Sequence, residues 1–116
     1  PQTIEGVALG RKLFFDPILS GDNTQSCSDC HAPENAFTDT DRFSEGIDGA
    51  LGNRNSMPIF NQAWNYDENF FWDGRSFGLE GQAIEPIKIY LCAKFAKIII
   101  VLININPGKI DLRYFR

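Results

Sequence analysis

At 116 residues the chain has room for one domain, and 43% hydrophobic with 13% aromatic residues is ordinary globular composition, which excludes the disordered and collagen-like classes. Eleven basic against fifteen acidic side chains leave a net charge of −4, the wrong balance for a nucleic-acid partner, whose phosphates need clustered Lys and Arg. A single histidine rules out a metal centre of two or three histidines, and a bis-histidine haem, built from this chain alone.

In chain order, Ile4, Val7, Ala8, Arg11, Phe14 and Phe15 recur at i, i+3 and i+4 and predict an opening helix over roughly residues 3–15 with those residues on its apolar face. Asp16-Pro17 stops it, and Ser20-Gly21-Asp22-Asn23 is turn chemistry. A short helix follows around Ser26–His31, with Ser26 or Thr24 as N-cap. From Pro33 to Asn55 no apolar period is sustained, which predicts a long ordered loop, a feature usually wrapped around something functional. Phe60 to Trp72 is dense in aromatics, and Ser76 is placed to cap a last helix with Leu79, Ala83 and Ile87 on one face. No internal repeat and no strand alternation precede residue 88. The class is mainly α.

The charge is unevenly spread. Residues 1–87 carry 14 acidic and 5 basic side chains, a net of −9, whereas residues 88–116 carry 1 acidic and 6 basic, a net of +5. The second stretch also holds seven isoleucines and the run Ile98-Ile99-Ile100-Val101-Leu102-Ile103. A membrane helix needs about 20 apolar residues, and this run is bounded by Lys94, Lys97 and Asn104, so a β-branched strand or extension is expected and no membrane span. The segment Pro1-Gln2-Thr3-Ile4-Glu5 has no signal-peptide pattern, so any export signal has been removed or lies outside this sequence.

The sharpest signal is Cys27-Ser28-Asp29-Cys30-His31, the C-x-x-C-H pattern of c-type haem attachment. On a helical turn positions i, i+3 and i+4 share a face, so two thiols can form thioethers with the two vinyl groups while the imidazole reaches the iron from the same side. The rival readings are weaker. A thioredoxin-like C-x-x-C needs a βαβ setting that is not there, a structural zinc site would have only Cys92 as fourth ligand, and a Cys27–Cys30 disulfide ignores the adjacent histidine. Opposite His31, Met57 is the one methionine available as a sixth ligand, against the simpler reading that it packs beside Pro58, Ile59 and Phe60.

Around that motif the chain resembles the bacterial di-haem cytochrome c peroxidases, a family that includes MauG-type maturation enzymes. The stretches that carry the resemblance are Leu9–Asp16 (LGRKLFFD), Leu19-Ser20-Gly21-Asp22, Ser26–His31, Ala36-Phe37-Thr38-Asp39, Gly52–Ser56 (GNRNS), Phe70–Arg75 (FFWDGR) and Leu79-Glu80-Gly81-Gln82-Ala83, in the family's order from about residue 4 to 87. The resemblance implies a small c-type cytochrome-like haem domain over 1–87, the amino-terminal, peroxidatic one, and it leaves 88–116 as a divergent Ile-rich tail outside the family fold. Cys27 and Cys30 would anchor a covalent haem c and His31 would ligate its iron. Trp72 matches a tryptophan placed between two haems, Gln82 a distal-pocket glutamine near bound peroxide, and Asn55 a residue contributing to a calcium site. Hydrogen peroxide as substrate, a small cytochrome c or cupredoxin as electron donor, and a periplasmic location follow from the same resemblance.

The sequence departs from the family pattern at two places. Where a histidine follows the Ser-x-Gly stretch, Ile47 stands, so gating by that histidine is not expected. Where an acid-base glutamate is due ten residues after Gln82, Cys92 stands, with Glu80 and Glu85 nearby but out of position. The second departure coincides with the charge reversal, so the chain reads as a truncated or frame-shifted product. The alternatives to a peroxidatic domain are a mono-haem electron-transfer cytochrome using Met57 and an inactive haem-binding fragment.

Overall fold

The computed structural model describes residues 3–88. Thr3 caps the first helix, α1 (Ile4–Phe15), its hydroxyl oxygen accepting from the Gly6 N–H at 3.0 Å. Asp16 ends α1 in an extended conformation and its carboxylate accepts from the Ile18 N–H at 3.0 Å, opening a 3₁₀ turn over Pro17–Leu19. The one-turn helix α2 (Cys27–Cys30) follows, with Ser26 as N-cap and the Asp29 carboxylate accepting from the Ser26 N–H at 2.7 Å. A two-stranded antiparallel ribbon, β1 (Asn69–Phe70) and β2 (Ser76–Phe77), pairs Asn69 with Phe77 and Phe70 with Ser76. The last described helix, α3 (Leu79–Lys88), packs against β2 and continues through Pro86.

The mainly α reading with long loops holds, and the differences from it are local. In α1 it is Leu9, Leu13 and Phe14 that are partly covered, whereas Ile4 is 86% exposed and Val7 and Phe15 more than half. Leu9 and Leu13 form their own i, i+4 pair, and α1 packs on α2. Ser76 does not cap α3. It is buried in β2 opposite Phe70, and the first turn of α3 is instead closed by the Gln82 N–H donating to the Gly78 carbonyl at 3.0 Å. Between residues 33 and 55 the chain makes 3₁₀ turns at Pro33–Asn35 and Ile47–Gly49 and two isolated bridges, Ala32 to Thr38 and Glu45 to Leu51.

Apolar burial is thin. Among the described residues only Ile47 and Phe70, each 5% exposed, are buried hydrophobics, joined by the buried hydroxyls of Ser20 and Ser76. The fold is therefore held largely by loop hydrogen bonds and by half-covered aromatic surface.

Candidate functional site

In α2 the His31 N–H donates to the Cys27 carbonyl at 3.0 Å, closing the turn and setting Cys27, Cys30 and His31 close together. Cys27 and Cys30 are thiols, half-buried, and do not form the disulfide. Burial pushes the Cys27 thiol above its ordinary value, and the Asp29 carboxylate adds to the rise against a lowering backbone hydrogen bond. Cys27 is then a protonated thiol near neutral pH, not an activated nucleophile. We expect Cys27 in the haem-free chain to be alkylated at pH 8 several-fold more slowly than free cysteine, measured by peptide mass mapping; an equal or faster rate would contradict the burial argument.

The imidazole is oriented by the loop that follows. His31 Nδ1 lies 3.1 Å from the Phe37 carbonyl oxygen, and a carbonyl can only accept, so Nδ1 is the donor and the neutral ring has its lone pair on Nε2, where a metal can take it. Reaching that position bends the backbone sharply: Ala36 and Phe37 take φ of 55° and 57°, a left-handed conformation costly for residues with a Cβ. The Ala32 carbonyl locks the bend by accepting from Asn35 N at 3.0 Å and Phe37 N at 2.8 Å. The Phe37 ring packs 6.2 Å from that of Phe14, which ties the loop to α1.

From Phe37 the network passes to Thr38. Its hydroxyl donates to the Ser56 carbonyl and lies 3.3 Å from Asn55 Oδ1. The Asn55 amide nitrogen donates to the carbonyls of Asp39 at 2.9 Å and Asp41 at 2.6 Å, and the Asn55 carbonyl accepts from Trp72 Nε1 at 3.0 Å. Trp72 is thus fixed by its indole nitrogen while 57% of it stays exposed. The loop beneath it is braced: Phe71, at φ 65°, lies under the Arg75 guanidinium at 3.8 Å, and Arg75 Nη1 contacts both Asp73 carboxylate oxygens at 2.9 Å. Slight desolvation raises Asp73, but its hydrogen bonds from Arg75 outweigh that and hold its carboxyl below the ordinary range.

His31, Asn55 and Trp72 are therefore joined in one hydrogen-bonded frame. Gln82 is not part of it: half-buried on α3, its side chain forms no hydrogen bond with any described residue of the frame. Met57 is half-buried, Ile47 is buried without ligating chemistry, and Glu85 pairs with Lys88 at 3.5 Å. Cys92 lies outside the described residues. Among those described, no cluster of three or more His, Cys, Asp and Glu is arranged to hold a metal ion, and a concavity of about 630 Å³ is lined by Ala8, Arg11, Lys12, Phe15, Asp16 and Pro17, none of them in the motif. Phe37 and Thr38 lie in a stretch that carries the family resemblance, but the sequence assigns them no role, because a carbonyl leaves no side-chain signature and a threonine hydroxyl can serve a turn equally well.

Two thiols on one turn, an imidazole with its Nδ1 proton committed, and apolar surface that the chain's own side chains leave half-covered fit a covalently attached, flat apolar group with a metal at its centre. This combination fits the class of c-type haem proteins. The chain belongs to the di-haem cytochrome c peroxidase family, whose sequence profile matches residues 4–97. It is 42% identical to the cytochrome c peroxidase Ccp of Escherichia coli over 86 residues, covering 74% of this chain and 18% of that protein. It is also 42% identical over 87 residues to the methylamine utilization protein MauG of Methylorubrum extorquens, covering 75% of this chain and 24% of that one. The crystal structure of a MauG-like protein associated with microbial copper homeostasis superposes with a TM-score of 0.75 at 34% identity, over 98% of this chain and 33% of its own. The chain thus spans about a fifth to a quarter of the relatives it matches in sequence.

Proposed function

We propose that this chain is the peroxidatic haem c domain of a periplasmic di-haem cytochrome c peroxidase, which reduces hydrogen peroxide with electrons from a small cytochrome or cupredoxin. The observation that carries the reading is the Cys27–Cys30–His31 turn with His31 Nδ1 held by the Phe37 carbonyl, set in a chain 42% identical to named peroxidases. Cys27 and Cys30 would hold the haem through thioethers and His31 Nε2 would ligate its iron. Bound there, the haem supplies a redox-active iron at which peroxide can be reduced.

The remaining roles belong to the chain's own side chains. Trp72, fixed through Nε1 yet exposed, suits electron passage to a second domain packed on that face. Gln82 can orient peroxide by hydrogen bonding but cannot take its proton, and Glu80 and Glu85 are the carboxylates on the same helix. Asn55 would offer Oδ1 to calcium, the oxygen that Thr38 approaches here. Buried Ile47 leaves that position with no group to ligate or titrate. The charge reversal near Ile87 supports a haem domain over 1–87 and a distinct segment after it, although the family match continues ten residues further, to Lys97.

The test is to express the full chain in a host with a c-type haem maturation system and record its mass and absorption spectrum. The expected product is one haem heavier than the polypeptide, with Cys27 and Cys30 no longer alkylatable and the iron accessible to added ligands. A methionine–iron charge-transfer band would favour the electron-transfer alternative through Met57. Colourless protein of unmodified mass would overturn the reading.

A further inference from the structure

The Cys30 sulfur has a neighbour that the attachment motif does not include. Gln25, two residues before Cys27, donates its backbone N–H to Ser20 Oγ at 3.2 Å, and Ser20, 3% exposed, donates in turn to the Pro17 carbonyl at 2.9 Å. At the other end Gln25 Nε2 donates to the Glu45 carbonyl at 2.5 Å and lies 3.7 Å from Cys30 Sγ, which is itself 3.7 Å from the same carbonyl. Gln25, Cys30 and Glu45 close a triangle around the sulfur. The residues beyond are firm, since Gly46 N donates to the Ala50 carbonyl at 2.6 Å and Gly52 N to the Ser44 carbonyl at 2.8 Å.

Gln25 Oε1 is buried without a hydrogen-bond partner among the described residues. Flipping the amide does not relieve it, because Oε1 would then face the Glu45 carbonyl, acceptor against acceptor. A buried unpartnered acceptor costs stability and offsets what the Nε2 bond to the Glu45 carbonyl contributes, so the fold alone gains little from an amide at this position. The amide stands where its nitrogen touches the attachment sulfur.

We propose that Gln25 is a positioning residue for Cys30, seating its sulfur on the 44–52 loop for thioether formation; this rests on the haem reading above. In that step the Cys30 S–H adds across the double bond of a vinyl side chain. The sulfur bonds one carbon, the hydrogen goes to the other, and nothing is oxidised or reduced. The thioether sulfur no longer has a hydrogen to offer Glu45, and the Gln25 Nε2–H remains as a donor to it.

The experiment compares the full-length wild type, Gln25→Met and Gln25→Glu, all matured with haem. Met keeps the length and removes both amide atoms; ionised Glu keeps the shape and removes the donor. The readout is the pyridine haemochrome band, which moves to longer wavelength for each vinyl group left unreacted, with Cys30→Ala as the single-attachment reference. The singly attached fraction is expected to rise about fivefold in both variants, the worth of one hydrogen bond. Gln25→Met removes the unpartnered acceptor together with the Nε2 bond to the Glu45 carbonyl, two opposing effects, so its haem-free chain should unfold close to the wild-type temperature, which separates poor attachment from poor folding. A wild-type band in either variant overturns the proposal. Wild-type protein that emerges without haem overturns the underlying reading instead.

Discussion

Replacing His31 with glycine is expected to lower the affinity for the haem iron by at least about a hundredfold while leaving most of the fold in place, since loss of a mere outer-shell partner of a metal ligand already costs 10–100-fold. The two effects separate because the histidine's backbone and ring do different work. The His31 N–H closes the α2 turn on the Cys27 carbonyl at 3.0 Å, and any residue but proline keeps that bond. The ring supplies the Nε2 lone pair and, among the described residues, makes one polar contact, Nδ1 to the Phe37 carbonyl at 3.1 Å. Losing that contact should destabilise the polypeptide by about 1 kcal/mol, the net worth of one ordinary hydrogen bond. The matured variant should keep thioethers through Cys27 and Cys30, lose the imidazole-ligated spectrum, and regain it when free imidazole is added. An unchanged spectrum in His31→Gly, without imidazole, would remove His31 from the ligand set.

How far this site can be read from the chain depends on the range of each interaction. The C-x-x-C-H spacing is local and fixed by covalent geometry, so the turn appears where the residues put it, with Ser26 as its cap. The extent of α1 is equally local, set by Thr3 at one end and Asp16-Pro17 at the other. Which side of α1 turns inward is not, because Ile4, Val7 and Phe15 on one side compete with Leu9 and Leu13 on the other, and only packing on α2 decides. The frame around Trp72 lies beyond periodicity altogether. Its bonds span 17 residues from Trp72 to Asn55 and again from Asn55 to Thr38, and most end on backbone carbonyls, which every residue carries. Ser76 shows the same limit. Its composition suits a helix cap, but pairing with Phe70 across the ribbon takes it into the interior.

That pairing identifies the packing position on which most depends. Truncating Phe70 to alanine should cost about 3–5 kcal/mol, the usual range for emptying a buried phenylalanine site. Small domains have only about 5–15 kcal/mol in total, and with Ile47 as the one other buried hydrophobic among the described residues this one has little to replace it. The loss would propagate in a defined order. Phe70 sits opposite Ser76, and the Phe71–Arg75 loop between them carries Trp72, so a loosened ribbon releases the Arg75–Phe71 stack and then the Trp72 bond to Asn55. The control lies on the same ribbon: Phe77, paired with Asn69, is 71% exposed, and Phe77→Ala should fall within about 0.5 kcal/mol of wild type, as exposed substitutions do. Denaturant unfolding of the full chain, followed by the fluorescence of Trp64 and Trp72, measures both. Equal effects at Phe70 and Phe77 would show that the ribbon's inward face does not hold the domain together, and that the Trp72 frame is supported from elsewhere.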